Sequence, residues 1–249
     1  MSNTSEHNIK VIAHRGASGH APENTATALS QAIAFGADIV EIDIHPTRDG
    51  HWVLLHDPTL NRTTNGSGEV RDATLEEIER LDAGSWFDAS FRGEKLLTLK
   101  QAIDTIPDSI ELIVDIKATL PEDTALQGLL RLLDQRQRLA TTLLASPDER
   151  VHERLKRLDR SVQLSLSDPD LNRPNVWEKV ERLEPKVISL HWTVANHHAV
   201  TQIHRHGIAV ITWTVNEPDR MEHMIELGVD GITTDFPDRL MTVLGRRAH

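Results

Sequence analysis

The chain has 249 residues, a length that suits one large domain or two small ones and allows a substantial core. Its 38 acidic and 27 basic residues give a formal net charge of −11, which argues against binding to nucleic acid or docking to anionic membranes. Cysteine is absent, which excludes disulfides, thiolate catalysis and cysteine-ligated metals.

The chain also carries no signal for export or membrane insertion. Its first ten residues are polar, and no apolar run approaches the roughly 18 residues that a membrane span needs. We therefore expect a soluble, cytoplasmic protein that does not insert into membranes.

Short apolar strands alternate with helical patterns along most of the chain. This alternation predicts an α/β fold built from βα units with a parallel sheet. In chain order, the nine predicted strands are Ile9–His14, Asp38–His45, Trp52–His56, Ile110–Lys117, Thr141–Ser146, Val162–Ser167, Val187–His191, Ile208–Val215 and Gly231–Asp235.

Helical patterns lie between most of these strands. Asn24 or Thr25 is a candidate cap for a first helix that ends near Gly36. The other helices predicted around the sheet are Leu99–Ile106, Pro121–Arg138, Asp148–Asp159, Asn196–His206 and Pro218–Leu227.

The third strand is too close to the second to be its parallel neighbour. Only residues 46–51 separate them, whereas a parallel crossover needs about a dozen residues. Asp49 and Gly50 form a turn signal, so Trp52–His56 is expected to fold back antiparallel. Eight strands then remain, which predicts a TIM (β/α)8 barrel.

The segment at about 46–95 is a predicted cap insertion after the second strand. It contains the turn-rich stretch NRTTNGSG, a short helix that ends at Gly84 and the aromatic stretch SWFDASFRG. We expect this small cap to lie over the barrel mouth. No linker or repeat divides the chain, so residues 1–249 are predicted to form a single TIM-barrel domain.

Charged side chains cluster at the predicted carboxyl ends of the strands. Residues 40, 42 and 44 are apolar and must face the helices, so Glu41 and Asp43 point toward the barrel axis. The same alternation turns Asp115 and Lys117 inward. Buried carboxylates repel each other, and a hard cation such as Mg²⁺ or Ca²⁺ resolves this repulsion.

Two histidines reach the same end of the barrel. His14 ends the first strand and is followed by Arg15, while His56 ends the returning strand. Two histidines can supply a base and an acid, and Arg15 and Lys117 can neutralise a phosphoryl group. The set favours phosphodiester cleavage, although a carbonyl lyase or aldolase remains open from these residues alone.

Each of these motifs, taken alone, also has a purely structural explanation. The Glu41–Asp43 pair could be an ion-paired patch, and Lys117 beside Asp115 a salt bridge. The stretch PENT could be only a helix start with Asn24 as its cap. Their convergence at the strand ends of one fold is what favours an active site.

From about Val11 to Leu240, the chain resembles the glycerophosphodiester phosphodiesterase family, and in particular its short cytoplasmic bacterial members. The resemblance rests on AHRGASGHAPENT, VEIDIHPTRDGHWVLLHDPTLNRTTNGSG, LDAGSWF, VDIK, WTVNEPDRM and GVDGITTDFPD. It implies a TIM barrel with a small cap and one bound divalent cation, Mg²⁺ or Ca²⁺. The implied reaction is hydrolysis of a glycerophosphodiester to sn-glycerol 3-phosphate and an alcohol such as choline, ethanolamine or glycerol.

The resemblance also implies roles for individual residues. It makes His14 and His56 the acid–base pair, and Glu41 and Asp43 metal ligands. The residues implied to contact the substrate are Arg15 and Lys117 at the phosphate, Trp213 as an apolar wall beside the glycerol, and His191, which matches a histidine of short cytoplasmic members.

The chain departs from the family's pattern at two places. The family usually has Glu-x-Lys where this chain has Asp115 and Lys117, and we expect the shorter Asp115 still to bind the metal. The family often has Ser-Phe where this chain has Ser146 and Pro147, so an aromatic wall of the alcohol pocket is missing.

Two other functions stay open at this point. A phospholipase-type phosphodiesterase acting on lysolipids would need an apolar rim, for which only Trp86, Phe87 and Phe91 qualify. A non-catalytic phosphate-ligand binding protein should have lost a histidine or a carboxylate, and this chain keeps both histidines and three carboxylates. A small-molecule glycerophosphodiester is the expected partner, and the sequence leaves a homodimer open.

Overall fold

The structure is a computed structural model that describes residues 9–119, 121–167, 169, 171 and 173–246. Its strands alternate with helices along the chain. The strands are β1 (Lys10–His14), β2 (Ile39–Pro46), β3 (Trp52–Leu54), β4 (Glu111–Ile116), β5 (Thr142–Ala145), β6 (Gln163–Ser167), β7 (Val187–His191), β8 (Ala209–Trp213) and β9 (Gly231–Thr234).

The helices lie around the strands, except for a short one in the insertion. They are α1 (Ala26–Ala34), α2 (Leu75–Glu79), α3 (Leu99–Thr105), α4 (Asp123–Gln135), α5 (Glu149–Leu158), α6 (Val176–Leu183), α7 (His197–Arg205), α8 (Pro218–Leu227) and α9 (Pro237–Val243). Across the described ranges, none of these helices is long and apolar enough to span a bilayer.

Eight of the strands close into a parallel barrel. β1 pairs with both β2 and β9, and the remaining pairs run from β2 through β4 to β9. β3 stands outside the barrel and pairs antiparallel with β2, with Val53 opposite His45. The predicted TIM barrel and the predicted antiparallel hairpin are therefore confirmed. β3 is antiparallel because the six-residue turn before it is too short for a parallel crossover. That residues 1–249 form one domain stays a prediction.

Strand alternation divides the apolar residues into two cores. Residues on one face, such as Val40 and Ile42, pack with the helices in the large outer core. A smaller core fills the barrel itself and contains Ile12, Ile39, Ile113, Leu143, Ala145, Val187 and Ile211. In β2 and β4 the inward apolar residues Ile39 and Ile113 precede the carboxylates Asp43 and Asp115, so the later inward positions of these two strands carry polar groups.

The inserted cap has a small core of its own. Seven buried residues form it, namely Val53, Leu55, Leu60, Val70, Ile78, Ala83 and Leu96. The predicted short helix in this segment is α2, which begins with a reciprocal capping box between Thr74 and Glu77. The cap thus folds as a hydrophobic unit attached to β2 through the hairpin.

Two helices of the structure, α6 and α9, were not among the predicted ones. α6 follows Asn175, which has φ of +67° and gives no side-chain cap, so the usual start signal is missing. α9 begins at Pro237 after Phe236, again without a side-chain cap. α4 ends at Gln135, three residues before the predicted Arg138, because Gln137 takes a positive φ of 55°.

Candidate active site

A cavity of about 400 Å³ opens at the carboxyl end of the barrel strands. Seven of the nine residues predicted for the site line it, namely His14, Arg15, Glu41, His56, Asp115, Lys117 and Trp213. Asp43 lies fully buried behind them and forms ion pairs with Arg15 and Lys117. The strand ends therefore bring eight of the nine predicted residues into one constellation.

His191 is the ninth predicted residue, and it lies apart from this lining. Its ring packs edge-on against Trp213 with 5.2 Å between ring centroids. Its Nδ1 lies 2.6 Å from the Thr193 hydroxyl, and it lines a separate cavity beside α7. His191 therefore contacts the wall of the mouth cavity from behind.

Three carboxylates form an acidic cluster that fits a metal ion. One oxygen from each of Glu41, Asp43 and Asp115 lies within 4.8 Å of the other two. The strand register explains part of this proximity, because Asp43 and Asp115 are direct partners on the adjacent strands β2 and β4. Asp115 Oδ1 is buried and accepts no hydrogen bond from the residues that the structure describes, so it is a free ligand atom. Three oxygen donors of this kind suit Mg²⁺ or Ca²⁺.

The electrostatics of the cluster also favour a bound cation. Burial, together with the charge of Asp43, raises the pKa of Glu41 to about 7. Burial likewise raises the pKa of Asp115. Burial opposes ionisation of Asp43 as well, but the charges of Lys117 and Arg15 lower its pKa. Two side-chain cations thus do not fully compensate three buried carboxyl groups.

Lys117 and Arg15 lie beside the carboxylates and line the cavity with Glu41 and Asp115. Lys117 Nζ is 2.6 Å from Asp115 Oδ2 and 3.2 Å from Asp43 Oδ1. Arg15 Nη1 donates to Glu23 at 2.9 Å, and its Nε lies 3.0 Å from Asp43 Oδ2. Both cations line the cavity, where they can meet a phosphate.

The loop after β1 has an unusual backbone that serves the same cluster. Arg15 and Asn24 have φ of 56° and 60°, in the left-handed region. The Arg15 amide donates to Glu41 Oε2 at 2.9 Å. Gly16 is required here, because a Cβ on it would lie 2.6 Å from the backbone carbon of Ala28 in α1.

Asn24 positions Asp43 rather than capping the first helix. Its Nδ2 donates to Asp43 Oδ2 at 3.0 Å, and its Oδ1 accepts from the Asp43 amide at 3.2 Å. Thr25 is the cap of α1, since its hydroxyl accepts from the Ala28 amide. Of the two caps considered from the sequence, Thr25 is therefore the one used.

Each cavity histidine has a carboxylate on its Nδ1. His14 Nδ1 lies 2.6 Å from Asp235 Oδ1, and His56 Nδ1 lies 2.7 Å from Asp57 Oδ1. Burial opposes protonation of His14, but the hydrogen bond with Asp235 and the charge of Glu41 raise its pKa. With Nδ1 held in this way, Nε2 is the nitrogen of each ring that can exchange a proton with a ligand.

The two carboxylates are themselves held in place. Ser18 Oγ donates to Asp235 Oδ1 at 2.8 Å, and Asn216 Nδ2 donates to Asp235 Oδ2 at 2.6 Å. Although burial opposes it, hydrogen bonding from His14 and these neighbours lowers the pKa of Asp235 to about 2. Asp235 is thus a charged, fixed partner for the His14 ring.

A second network of hydrogen bonds holds Asp57, the carboxylate partner of His56. Arg62 Nε donates to Asp57 at 2.7 Å, and its Nη atoms donate to Glu23 at 2.8 and 2.9 Å. Glu23 also accepts from Arg15, so it joins the cap to the loop after β1. These hydrogen bonds, those from Arg62 above all, lower the pKa of Asp57.

Sequence reasoning did not assign roles to Asp235, Asn216, Glu23 or Arg62. Asp235 carried a usable signal, because strand alternation puts it on the inward side with Thr233 at the end of the last strand. Glu23 and Arg62 carried none, since their pairing joins two loops that are 39 residues apart.

The rest of the cavity wall bears no charge, and we call it the uncharged half. It is formed by Ile113, Ala145, Pro147, Ser165, Ser167, Ser189, Ile211, Trp213 and Thr233. Pro147 lines the cavity directly, whereas the Ser146 hydroxyl donates to the Ile116 carbonyl at 3.0 Å.

The cap contributes less to the mouth than the sequence suggested. Among the described residues of the insertion, His56, which follows β3, is the one that lines the mouth cavity. Trp86 and Phe91 each pack edge to face with Phe87, with centroid distances of 5.6 and 5.5 Å, and none of the three lines the cavity. The aromatic segment therefore forms no apolar rim around the site.

Comparison with known proteins agrees with this geometry. A sequence model of the Glycerophosphoryl diester phosphodiesterase family matches residues 14–239. The glycerophosphodiester phosphodiesterase of Caldanaerobacter subterraneus is 36% identical over 239 residues, covering 94% of this chain and 97% of that protein. A glycerophosphodiester phosphodiesterase of Bacillus subtilis is 30% identical and covers 92% of this chain and 84% of its own length.

Solved structures of phosphodiesterases are also similar to this chain. A phosphodiesterase of Oleispira antarctica, in complex with the product sn-glycerol-3-phosphate, superposes with a TM-score of 0.88 at 30% identity, covering 95% of this chain and 96% of that one. A glycerophosphodiester phosphodiesterase of Parabacteroides distasonis gives a TM-score of 0.79 at 27% identity, covering 96% and 97%. The chain belongs to the glycerophosphoryl diester phosphodiesterase family.

Proposed function

We propose that this protein hydrolyses glycerophosphodiesters to sn-glycerol 3-phosphate and an alcohol. The observation that carries the proposal is the convergence of two carboxylate-supported histidines, two cations and three carboxylates on one cavity. The complex of the Oleispira antarctica relative with sn-glycerol-3-phosphate supports the same substrate class.

The two histidines are proposed to transfer the protons of the reaction. Attack of water at phosphorus needs one proton removed from the water and one given to the leaving oxygen. His14 and His56 come from different segments of the chain and both line the cavity, so they can act on opposite sides of a phosphate. Asp235 and Asp57 hold the rings so that Nε2 of each performs the transfer.

The charged side chains are proposed to bind the phosphate. Arg15 and Lys117 neutralise its negative charge, and their positions are fixed by ion pairs with Glu23 and Asp115. Glu41, Asp43 and Asp115 would hold one divalent cation, Mg²⁺ or Ca²⁺, which when bound neutralises a phosphoryl oxygen.

The alternative functions receive less support. A lysolipid phosphodiesterase needs an apolar rim, and the candidate residues Trp86, Phe87 and Phe91 are absent from the described lining of the cavity. A non-catalytic binding protein has no use for two histidines that are each held by a carboxylate. The cytoplasmic location and the homodimer stay predictions.

Phosphorus NMR of glycerophosphodiester turnover tests the proposal. Metal-stripped protein should be inactive, and addition of Mg²⁺ or Ca²⁺ should restore release of sn-glycerol 3-phosphate. His14→Ala and His56→Ala are then compared on a nitrophenyl diester, whose leaving group needs no proton. The variant that lacks the acid should recover on this substrate, whereas the variant that lacks the base should not. Full turnover by the stripped protein, or unchanged turnover by both variants, would contradict the proposal.

A further inference from the structure

The two histidines of the cavity differ in how the chain holds them. His14 is the last residue of β1, which is a strand of the barrel. His56 follows β3, outside the barrel, where the chain enters the cap. The carboxylate on its Nδ1 belongs to Asp57, the next residue, so this contact orients the ring without fixing His56 relative to the barrel.

One connection between this segment and the barrel is exposed. Arg62 donates to Asp57 and to Glu23, which lies in the loop after β1. The Arg62 side chain is 41% exposed, and ion pairs of exposed side chains contribute little to stability. This bridge is therefore a weak way to fix a proton-transferring ring.

A second connection is buried and comes from β2. His45 is only 6% exposed, and its Nε2 lies 3.1 Å from the carbonyl oxygen of His56. A carbonyl oxygen can only accept, so Nε2 of His45 carries the proton and donates it to this hydrogen bond. The Leu55 amide donates to the Asp43 carbonyl at 3.1 Å, so backbone pairing holds the residue before His56 and the His45 side chain holds His56 itself.

His45 lies near the reacting groups but outside the cavity. Alternation along β2 puts it on the same face as Glu41 and Asp43. Unlike Glu41, it is not among the residues that line the cavity, and the described group that fits a metal consists of three carboxylates without it. Its contact with the His56 backbone is thus the route by which it reaches the site.

We propose that His45 is a positioning residue that ties the backbone of His56 to the barrel and so keeps the His56 ring at the phosphate. It acts on the rate through His56, and not on the metal or on the phosphate. This inference rests on the proposed function, because it assumes that His56 transfers a proton in this cavity.

The test measures kcat and KM of His45→Leu and His45→Gln by phosphorus NMR at saturating Mg²⁺ or Ca²⁺. Leucine has a similar size and no donor, whereas glutamine keeps an N–H group near the position of Nε2. His45→Leu should lower kcat roughly 2- to 10-fold, the range of one hydrogen bond between neutral groups, and leave KM nearly unchanged. His45→Gln should recover most of the lost rate.

Trp52→Phe is the matched control. Trp52 lies in the same hairpin, is also 6% exposed, and donates from its ring nitrogen to a backbone carbonyl, that of Ala125 in α4, at 3.3 Å. The substitution removes a hydrogen bond of the same kind that does not lead to His56, so kcat should stay unchanged. Thermal unfolding of all variants checks that the barrel remains folded.

Two further measurements separate positioning of His56 from general damage to the site. In a His56→Ala background, His45→Leu should cause no additional loss of the residual rate, because the ring that it positions is gone. Calorimetric titration of stripped His45→Leu with Mg²⁺ or Ca²⁺ should give the affinity of the wild type. A substitution that instead disturbed Asp43, two residues away, would weaken metal binding and slow the His56→Ala variant further.

The outcomes distinguish the inference from the function on which it rests. An unchanged kcat in His45→Leu, a His45→Gln variant as slow as His45→Leu, weakened metal binding, or an additional loss in the His56→Ala background each overturns the inference while the proposed function stands. If His56→Ala alone hydrolyses glycerophosphodiesters as fast as the wild type, the proposed function fails and the inference falls with it.

Discussion

Asp235→Asn should slow turnover by holding His14 less well. The substitution keeps the shape of the side chain and removes its charge. In the protein, Asp235 Oδ1 lies 2.6 Å from His14 Nδ1, and its other oxygen accepts from Asn216 at 2.6 Å. An asparagine there cannot balance a protonated His14, and it can present an amide group instead of an acceptor to the ring. Asp235 is thus a positioning residue that acts through His14.

The size of the effect follows from this hydrogen bond. A hydrogen bond to a charged group contributes about 1.5–3 kcal/mol. If His14 must carry a proton during the reaction, losing that contribution lowers kcat by roughly 10- to 150-fold, at 1.4 kcal/mol per factor of ten. The hydrogen bond with Asp235 also helps to raise the pKa of His14, although burial opposes it. The limb of the pH–rate profile that reports His14 should therefore move to lower pH in the variant.

The assay is kcat and kcat/KM across pH, with Asp238→Asn as the control. Asp238 Oδ1 lies 2.8 Å from His20 Nε2, so the control breaks a similar pair three residues further along the chain and outside the cavity lining. It should change neither the rate nor the profile. An Asp235→Asn variant with a lower rate but an unmoved pH profile would refute the positioning role, because a merely structural defect gives that result.

Three further predictions concern the metal, the acid–base pair and stability. Asp115→Asn should weaken Mg²⁺ or Ca²⁺ binding to stripped protein in calorimetric titrations, whereas Asp115→Glu should retain it; equal binding by Asp115→Asn and wild type would remove Asp115 from the site. His14→Ala and His56→Ala should each lower the rate of glycerophosphodiester hydrolysis roughly 10²–10⁴-fold, and a smaller loss in stopped-time assays would contradict acid–base roles. Burial, aided by the charge of Lys179, lowers the pKa of His152 to about 4. The unfolded chain therefore binds this proton more readily, so the free energy of unfolding should fall by about 2–3 kcal/mol between pH 7 and 4.5 from this group, and His152→Leu should abolish that part in urea titrations.

The sequence predicted those features that depend on short-range rules. Alternation along β2 was enough to place Glu41 and Asp43 inward and the apolar residues against the helices. The length of the turn at residues 46–51 was enough to make β3 antiparallel. Because parallel strands must end at the same side of a barrel, these local rules also brought His14, Asp115 and Lys117 together.

The features that the sequence did not predict depend on contacts between distant loops. Asp235 and His14 are 221 residues apart, and their pairing requires the barrel to close through β9 and β1. The position of the cap depends on how Arg62 bridges Asp57 and Glu23, which no periodicity encodes. The missed helix α6 shows the same limit, since it is held by packing and lacks a capping signal.

The loop after β1 shows how the fold supports the acidic cluster. A left-handed φ costs about 1–3 kcal/mol at a non-glycine residue, and this loop has such angles at Arg15 and Asn24. The same conformation directs the Arg15 amide to Glu41 and both polar atoms of the Asn24 side chain to Asp43. Hydrogen bonds to charged groups contribute about 1.5–3 kcal/mol each, enough to offset the strain. Gly16 can make this turn because it lacks the Cβ that would clash with α1, so the adjacent His14 and Arg15 both reach the cavity. The sequence HRG therefore ends β1, directs an amide to Glu41 and places His14 and Arg15 at the cavity within three consecutive residues.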